Sequence, residues 1–486
     1  MKTSKRLIAL LLCLVMSMAL MACGGNNKPA ESSKAPASEA AKSETPESTA
    51  PESTAPSTAP EVKVDLKGRT INVGLWWDYY YESAHTAIED DPGLSNTETA
   101  QLKLDNLRAV EQQFNCKFDF QNLGWDGTIA SINNSILAGT PDCDIYFTDL
   151  QFGMPAVGSG LAMDLKDVAP ADADIWNEKN VFTPLETAAL DGVYMWRDSA
   201  PYFNALFLGY NKTMIEELGL EDPQALYKAG NWTWEKFAEY CKTATKDKDG
   251  DNVVDVYGFG GVYTDLINGL VLNNGGSIAA GETESLSSPQ TLEALNFFNK
   301  LYNEDKSARP WDPDDWNGNR DAWVTGKSVF FAGQAWLTRE KMQEAANNGT
   351  QLEFDFSLVP YPIGPSGDGK YYTPVAGNWY IMAKGIEDAA GVYQAFEALM
   401  GWYGSDLTLR DDLSWLYECF LTPEDAELAL SLGENVKLDL WAYLGGRYDV
   451  GGNVFWPILN NEKTPAQAVE GFKQTVQTGI DSFMKK

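Results

Sequence analysis

The chain has 486 residues, of which 44% are hydrophobic and 12% aromatic, and its formal net charge is −32. A chain of this length can bury a large core and is expected to form more than one domain. The negative charge disfavours nucleic acid as a partner and offers no electrostatic attraction to anionic lipid. The single histidine, His85, excludes histidine-rich zinc sites. Because no motif accompanies it, we expect it at the surface or at the rim of a cleft, and not as a general base.

The amino terminus has the features of a secretory signal. Basic residues precede the apolar run Leu7–Leu20, which is too short to span a membrane comfortably. The segment Leu20-Met21-Ala22-Cys23-Gly24 resembles the bacterial lipobox, in which the cysteine is lipidated and becomes the new first residue. We predict a signal peptide over residues 1–22, a lipid on Cys23, and an exported protein anchored to the outer face of the cell membrane. A plain signal peptide with an incidental cysteine is the alternative.

Residues 23–61 are expected to form a disordered tether behind the lipidated cysteine. They are dominated by Ser, Thr, Pro, Ala and Glu, with Pro-Glu-Ser-Thr-Ala-Pro repeated around residues 46–56. Such a composition cannot build a core.

Four cysteines lie beyond the signal and the lipid site: Cys116, Cys143, Cys241 and Cys419. No CxxC spacing occurs, so neither a metal knuckle nor a redox pair is indicated. We expect four unpaired thiols.

The next part of the chain alternates strand and helix patterns. The predicted elements are strands at Thr70–Leu75, Lys117–Phe120 and Asp144–Phe147, and helices at Ala100–Phe114 and Ile129–Ala138. This alternation favours a mainly parallel sheet covered on both faces, in which ligands bind outside the carboxyl ends of the strands. Those ends carry Trp76, Trp77, Asp78, Trp125, Asp126 and Asp149.

A second αβ pattern begins near residue 205. Ala205–Leu208 has strand length, and Tyr210-Asn211-Lys212 supplies a turn and a helix cap. The helical pattern Thr213–Leu218 then stops at Gly219, a C′ glycine. Thr233 is placed to cap the next helix.

Several motifs, in this order, resemble extracellular solute-binding proteins of ABC sugar importers, of the family 1 type that includes maltodextrin- and alginate-oligosaccharide-binding proteins. They are residues 139–145 with 158–167, the hairpin at 191–194, the crossover 201–237, the strand and loop 326–336, the return 377–385, and Phe455-Trp456-Pro457 with the helix from Pro465. The resemblance covers residues 62–486.

The resemblance implies an α/β fold with two lobes of the periplasmic-binding-protein type. Each lobe would hold a mainly parallel sheet flanked by helices, and several hinge crossovers would join them. The first lobe is predicted at residues 62–201 plus 378–430, and the second at 202–377 plus 431–486. The implied function is the substrate-binding component of an ABC importer, a monomer that captures a carbohydrate, expected to be an oligosaccharide, between the lobes and delivers it to the permease without chemistry. A cell-surface glycoside hydrolase with a carboxylate pair is the alternative.

Ligand residues follow from the resemblance position by position. Asp78 and Asp149 match first-lobe acceptors, Tyr263 a second-lobe contact, and Trp456 a stacking aromatic. Asn204 stands where maltodextrin-binding relatives have an acidic residue. The further candidates are aromatic: Trp77, Trp125, Trp336 and Trp379. Core packing is the alternative for each tryptophan, and it is the expected role of Trp232 and Trp234.

One local motif indicates a metal. The run from Asp247 to Asp255 places oxygen ligands at alternate positions, from the side chains of Asp247, Asp249, Asp251 and Asp255 and the carbonyl of Val253. It resembles a calcium loop of alginate-oligosaccharide-binding relatives, although the bidentate glutamate of an EF-hand is replaced by Gly258. We predict a structural Ca²⁺ and no cofactor for chemistry; an acidic turn is the alternative.

Overall fold

The computed structural model describes residues 64–91, 94, 96–176, 181–182, 192–197, 206–374, 377–437, 443 and 447–484. The chain divides into two units between Glu61 and Val62. The signal peptide, Cys23 and the tether precede residue 64 and so lie outside the described residues. Asn204 also lies outside them. Among the described residues, no helix has both the length and the apolar character required to cross a bilayer.

The strands fall into two main sheets and two short pairs. The bounds are β1 (Arg69–Leu75), β2 (Cys116–Asn122), β3 (Ile145–Asp149), β4 (Val181–Phe182), β5 (Met195–Trp196), β6 (Phe207–Asn211), β7 (Tyr257–Phe259), β8 (Ala279–Ala280), β9 (Thr283–Glu284), β10 (Ser328–Gly333), β11 (Phe356–Val359), β12 (Thr373–Pro374), β13 (Asn378–Met382) and β14 (Val436–Lys437). The first sheet has the order β2-β1-β3-β13-β5-β4, and the second sheet has the order β11-β6-β10-β7.

The helices cover the sheets and connect them. Their bounds are α1 (Thr97–Phe114), α2 (Gly124–Ser131), α3 (Leu150–Gly158), α4 (Lys212–Glu217), α5 (Pro223–Lys228), α6 (Trp234–Ala244), α7 (Tyr263–Asn273), α8 (Pro289–Asn299), α9 (Trp316–Arg320), α10 (Ala335–Asn347), α11 (Ala389–Met400), α12 (Leu407–Arg410), α13 (Ser414–Tyr417), α14 (Pro423–Gly433), α15 (Arg447–Val450), α16 (Trp456–Leu459) and α17 (Pro465–Met484).

Both sheets are covered on both faces, as the alternating pattern predicted. In β13, Tyr380 and Met382 pack into one core cluster, whereas Trp379 and Ile381 pack into another. In β10, Phe330 and Phe331 separate in the same way. Since successive side chains of a strand point to opposite faces, each sheet has a core on either side. The fold is therefore the predicted two-lobe α/β architecture.

The prediction that each sheet is mainly parallel is wrong. In the first sheet β1 pairs in parallel with β2 and β3, but β13 pairs antiparallel with β3 and β5, and β4 antiparallel with β5. In the second sheet β7 and β10 are parallel, but β6 pairs antiparallel with β10 and β11. The alternating strand and helix pattern covered only β1 to β3, and strands from later parts of the chain complete each sheet in the opposite direction.

The predicted ends of several helices are confirmed. Asn211 caps α4, its Oδ1 accepting a hydrogen bond from the amide of Met214 at 2.8 Å. Thr233 caps α6, and Gly219 has φ +68°, the left-handed conformation expected of a C′ glycine. The strand predicted at Ala205–Leu208 lies further along the chain, at Phe207–Asn211.

One lobe boundary differs from the prediction. Leu416, Cys419 and Phe420 are buried in the same cluster as Phe207 and Phe331 of the second sheet. The segment from Leu413 onwards therefore packs on the second sheet, earlier than the predicted boundary at residue 430. The apolar faces of α13 and α14 pack against the second sheet and hold this segment on it. The cysteines Cys116, Cys143, Cys241 and Cys419 are buried and unpaired, as expected.

Candidate functional site

The carboxyl ends of three parallel strands meet at one edge of the first sheet. β1 pairs in parallel with β2, where Leu75 lies opposite Asn122, and with β3, where Gly74 lies opposite Tyr146. The residues at and just beyond these strand ends lie on the same side of the sheet. They include the predicted Trp77, Asp78 and Trp125, and Asp149 as the last residue of β3. We call this side the first-sheet edge.

Five aromatic rings pack together at the first-sheet edge. Trp76 lies edge-on to Trp77 at 5.2 Å and to Trp125 at 5.1 Å between ring centroids. Phe152 lies 4.4 Å from Trp125, and Phe147 lies 4.9 Å from Trp77. Trp77 and Trp125 are nevertheless 36% and 40% exposed. This first-sheet cluster therefore holds two accessible indoles in fixed positions.

Two carboxylates accompany the first-sheet cluster. Asp78 is exposed, and its Oδ1 accepts a hydrogen bond of 3.0 Å from Nδ2 of Asn122 at the end of β2. Asp149 caps α3, since its Oδ1 accepts from the amide of Phe152 at 3.1 Å. The side-chain Nε2 of Gln151 donates to the other oxygen, Oδ2, at 3.0 Å. Asp78 thus presents an oriented acceptor to solvent, whereas Asp149 is already engaged in starting a helix.

The loop that follows Asp78 is pinned to β2 by buried polar groups. The amide of Phe118 donates to Oγ of Ser83 at 2.8 Å, and Ser83 in turn donates to Glu111 of α1. Glu111 also accepts from Arg108 and Lys117, each at 3.0 Å. Burial raises the pKa of Glu111, but these hydrogen bonds outweigh it and hold the pKa below its usual value. The anchored loop fixes where Asp78 lies.

His85 lies in the same loop. Its Nδ1 is 3.7 Å from Oε1 of Glu82, and its ring lies 5.3 Å from that of Tyr80. The hydroxyl of Ser83, two residues earlier, is engaged with the amide of Phe118 and with Glu111. This position on a surface loop fits the expected role of His85 and supplies no catalytic arrangement.

A corresponding edge exists on the second sheet. β7 and β10 are parallel, so their carboxyl ends point the same way, and Tyr263 follows β7 as Trp336 follows β10. Gly261 makes the turn after β7 with φ +145°, and a Cβ there would lie 3.0 Å from the amide nitrogen of Ala332. Only glycine allows this approach between the two strands, which places Tyr263 at the second-sheet edge.

Four aromatic rings form a continuous row at the second-sheet edge. Tyr263 lies 6.3 Å from Trp456 and 5.1 Å from Trp311, which lies 5.4 Å from Trp316. We call these rings the second-sheet array. Tyr263 and Trp456 were predicted ligand residues, but Trp311 and Trp316 were missed. The signal that could have found them is the segment Trp311-Asp-Pro-Asp-Asp-Trp316, where two aromatic residues stand in an acidic loop.

Trp336 is held by polar partners and is 44% exposed. Its Nε1 donates to Oε1 of Gln334 at 2.7 Å, and the guanidinium of Arg320 lies 5.8 Å from its ring centroid. Arg320 itself is bound by Asp321, with Nε to Oδ1 at 2.6 Å. An accessible indole with a fixed orientation results.

The two edges are joined by a short piece of chain. The amide of Leu206, just before β6, donates to the carbonyl of Pro374 at 3.3 Å. Asn378 lies opposite Asp149 in the first sheet. Four peptide units separate Pro374 from Asn378, so the two Cα atoms are at most about 14 Å apart. The second-sheet edge and the first-sheet edge therefore lie close together where the chain crosses.

Trp379 does not belong to the accessible surface. It is 0% exposed and lies in β13, opposite Thr148, within a core cluster of the first sheet. The strand register explains this, because residue 379 points into the core between the sheet and its covering helices. Trp232 and Trp234, 0% and 3% exposed, are core residues as predicted.

The acidic loop between α6 and β7 brings three carboxylates together. Ligand oxygens of Asp247, Asp249 and Asp255 lie within 4.8 Å of one another. Asp247 accepts from the amides of Gly250 at 2.6 Å and Asn252 at 2.8 Å, and these bonds help to lower its pKa. Asp251 is not part of this group, and its Oδ1 accepts from the amide of Val253 at 2.7 Å. The donor set is of the hard oxygen type that Ca²⁺ prefers.

Solved structures of low sequence identity share the fold. An ABC substrate-binding protein from Listeria monocytogenes in complex with cycloalternan is 17% identical, with a TM-score of 0.58, over 85% of this chain and 98% of that one. A maltose/maltodextrin-binding domain from Bdellovibrio bacteriovorus bound to maltotriose is 15% identical, with a TM-score of 0.58, over 86% and 100%. UgpB from Mycobacterium tuberculosis, in complex with glycerophosphocholine, is 16% identical, with a TM-score of 0.58, over 79% and 96%.

Among curated protein sequences, none matches this chain. The model of the family described as bacterial extracellular solute-binding protein matches residues 97–405, which is more than half of the chain. That span includes β2 and β3 of the first sheet and β6, β7, β10 and β11 of the second. The shared fold and this match lead to one conclusion. The chain belongs to the family of bacterial extracellular solute-binding proteins.

Proposed function

We propose that this protein captures a carbohydrate between the first-sheet edge and the second-sheet edge and delivers it to the permease of an ABC importer. The observation that carries the proposal is that aromatic side chains and an oriented carboxylate lie at the strand ends of both sheets, which a short piece of chain joins. At the first-sheet edge these are the exposed Trp77 and Trp125 with Asp78, and at the second-sheet edge the exposed Trp336 with the half-buried Tyr263 and Trp456. Asp149 supports the site by capping α3 beside them.

The chemistry of these groups suits a sugar. A pyranose ring offers apolar C–H faces to an indole and hydroxyl groups to a few directed acceptors. Cycloalternan and maltotriose, the ligands of two structures with this fold, have that character. A phosphate-bearing ligand such as glycerophosphocholine, which UgpB binds, is disfavoured here, because Arg320 is committed to Asp321 and the net charge is −32.

The roles of the carboxylates support binding of the sugar without its hydrolysis. A glycosidase needs two carboxyl groups on either side of one bond, one of them able to donate a proton. Both oxygens of Asp149 are engaged, Oδ1 by the backbone amide of Phe152 as a helix cap and Oδ2 by the side-chain amide of Gln151, so this carboxylate has a role in starting α3. We therefore propose a binding protein in preference to the hydrolase alternative.

The test is a thermal-shift screen of the purified protein, residues 62–486, against a panel of neutral and acidic glycans and glycerophosphodiesters. A neutral oligosaccharide should raise Tm and leave no hydrolysis product by chromatography. A rise in Tm with glycerophosphodiesters alone, or release of shorter sugars, would contradict the proposal.

The same proposal extends to the amino terminus and the assembly state. As a family member the protein is exported, and we propose that a signal peptide over residues 1–22 is removed and that a lipid on Cys23 anchors a monomer through the tether. Substituting Cys23→Ala should release the protein from the membrane fraction, and retention there would contradict the anchor.

We also propose that the carboxylates of Asp247, Asp249 and Asp255 hold a structural Ca²⁺, with Asp251 and the carbonyl of Val253 as the remaining predicted ligands. The clustering of three carboxylates within 4.8 Å supports this, since they would repel one another without a cation. The ion would stabilise the loop between α6 and β7 and would take no part in chemistry.

A further inference from the structure

The loop that carries Trp311 and Trp316 is held in place by hydrogen bonds to the buried side-chain amide of Asn319. Asn319, 1% exposed, accepts at Oδ1 from Nη1 of Arg309 at 2.8 Å and from the amide of Asp312 at 3.0 Å. The amide of Arg309 donates to the carbonyl of Phe259 at 2.8 Å, which ties the loop to the end of β7. The loop is therefore fixed to the second-sheet edge and does not need to be ordered when a ligand binds.

Trp316 is presented to solvent by the first turn of α9. Asp315 caps that turn, with Oδ1 accepting from the amide of Gly318 at 2.9 Å. Trp316 is 55% exposed, the largest fraction among the described tryptophans, and it meets Trp311 at an interplanar angle of 73°. An indole held this open on a rigid base leaves a ring-sized apolar surface facing water, which can stack on the apolar face of a sugar ring.

The polar groups beside Trp316 are acceptors. Asp312, Asp314 and Asp315 are all exposed. The described hydrogen bonds to the carboxylates of Asp312 and Asp315 come from backbone amides, as with the 3.0 Å bond from the amide of Asp314 to Oδ1 of Asp312. Hydroxyl groups of a neutral sugar can donate to such carboxylates, whereas a uronate or a phosphate would be repelled.

The second-sheet array leads from the proposed cleft to Trp316. Trp456 and Tyr263 are two of the groups proposed to contact the captured sugar, and Trp311 connects Tyr263 to Trp316 through successive edge contacts of 5.1 and 5.4 Å. A single sugar ring on Tyr263 and Trp456 would not also cover Trp316. A longer ligand would.

We propose that Trp316, with Trp311 behind it and the acidic loop around it, forms an additional subsite that stacks a further ring of a neutral oligosaccharide. This subsite makes affinity depend on the number of sugar rings. The inference rests on the proposed function, since it assumes a carbohydrate in the cleft.

The test compares wild type, Trp316→Ala and Trp316→Phe by isothermal titration with two ladders of neutral glucans, α-1,4-linked and β-1,4-linked, from one to five rings. Wild-type affinity should rise with length. Trp316→Ala should lose about tenfold in affinity for the longest ligands and little for the shortest, because only the outer ring loses its partner. Trp316→Phe keeps an aromatic face and should recover part of the loss.

The control is Trp415→Ala, which removes another exposed indole, 37% exposed, from α13. It should leave both ladders unaffected. An equal loss at every length, or none at any length, would overturn the subsite while leaving the proposed function standing. Binding of neither ladder would also overturn it, whereas failure of the whole glycan panel would overturn the proposed function itself.

Discussion

The first-sheet cluster and the second-sheet array are both aromatic, yet they are built differently. The first-sheet cluster surrounds Trp76, which contacts four other rings, and its members follow strand ends or lie in β3 and α3. The second-sheet array draws on segments near residues 263, 311–316 and 456, and it ends in a largely exposed Trp316. The rings of the first-sheet cluster pack against one another around Trp76. The rings of the second-sheet array contact one another in sequence, and the last of them is largely exposed.

This difference separates stability from binding. A ring that contacts several others contributes packing free energy as well as ligand surface, whereas a ring at the end of a row contributes surface alone. Substitutions in the first-sheet cluster should therefore reduce both stability and affinity, and substitutions at the end of the array should reduce affinity only.

The substitution with the largest expected effect is Trp76→Ala. It removes the centre of the first-sheet cluster, and we expect the free energy of unfolding to fall by about 3 kcal/mol. Denaturant titration measures this, with Trp316→Ala as the matched variant, for which a change below about 0.5 kcal/mol is expected. Equal losses for the two variants would show that the clusters do not differ in the way described.

Next in size is Glu111→Gln, which acts on the loop behind the first-sheet edge. Loss of the charge-assisted bonds from Arg108 and Lys117 should lower the free energy of unfolding by about 2 kcal/mol at neutral pH. Because the pKa of Glu111 is lowered in the folded protein, its contribution is present above the unfolded value of about 4.3 and is lost as the pH falls through the folded value.

The difference between wild type and Glu111→Gln should therefore shrink below about pH 4.3, where Glu111 is protonated first in the unfolded chain and, at lower pH, in the folded protein. Denaturant titrations at pH 3 to 7 would show it, since other carboxylates titrate equally in both proteins. A constant difference across that range would contradict the role assigned to Glu111.

Removing Ca²⁺ with a chelator tests the stability of the second sheet and its loops without changing the first sheet. If Ca²⁺ occupies the loop between α6 and β7, removing it with EGTA should lower Tm by a few degrees, and added Ca²⁺ should restore it. Asp249→Asn should reduce the response, whereas Glu111→Gln should leave it intact. A Tm unchanged by chelator would contradict the proposed structural Ca²⁺.

The smallest predicted effect is that of Asn122→Ala. It removes the 3.0 Å hydrogen bond that orients Asp78, and we expect about a fivefold loss of ligand affinity with a stability change of at most about 1 kcal/mol. Titration calorimetry with a sugar found in the glycan screen measures it. Unchanged affinity would mean that Asp78 does not contact the ligand.

The same contrast explains what could be predicted from the sequence. Trp77 and Asp78 follow a strand whose apolar pattern is plain, and parallel strands deliver their carboxyl ends to one edge, so that edge was predictable. Trp311 and Trp316 follow no strand end, and the contact with Tyr263 forms only after the intervening 47 residues fold. Trp379 was misplaced because aromatic type alone does not reveal which face of a strand a residue occupies.

The lobe boundary was missed for a related reason. The helical patterns of α13 and α14 show that they have an apolar face, with Leu416 and Ala426 buried, but not which of two sheets receives it. The clustering of carboxylates between α6 and β7 was predictable in position, because its Asp spacing is local, whereas that spacing does not reveal that Asp251 lies outside the converging group.

The central claim is that one ligand is held by both edges, and a crystal structure of residues 62–486 with a bound neutral oligosaccharide tests it most directly. The account predicts sugar rings in contact with Trp77 and Asp78 on one side and with Tyr263 and Trp456 on the other. A ligand that contacts residues of one sheet only, or that binds away from both edges, would contradict it.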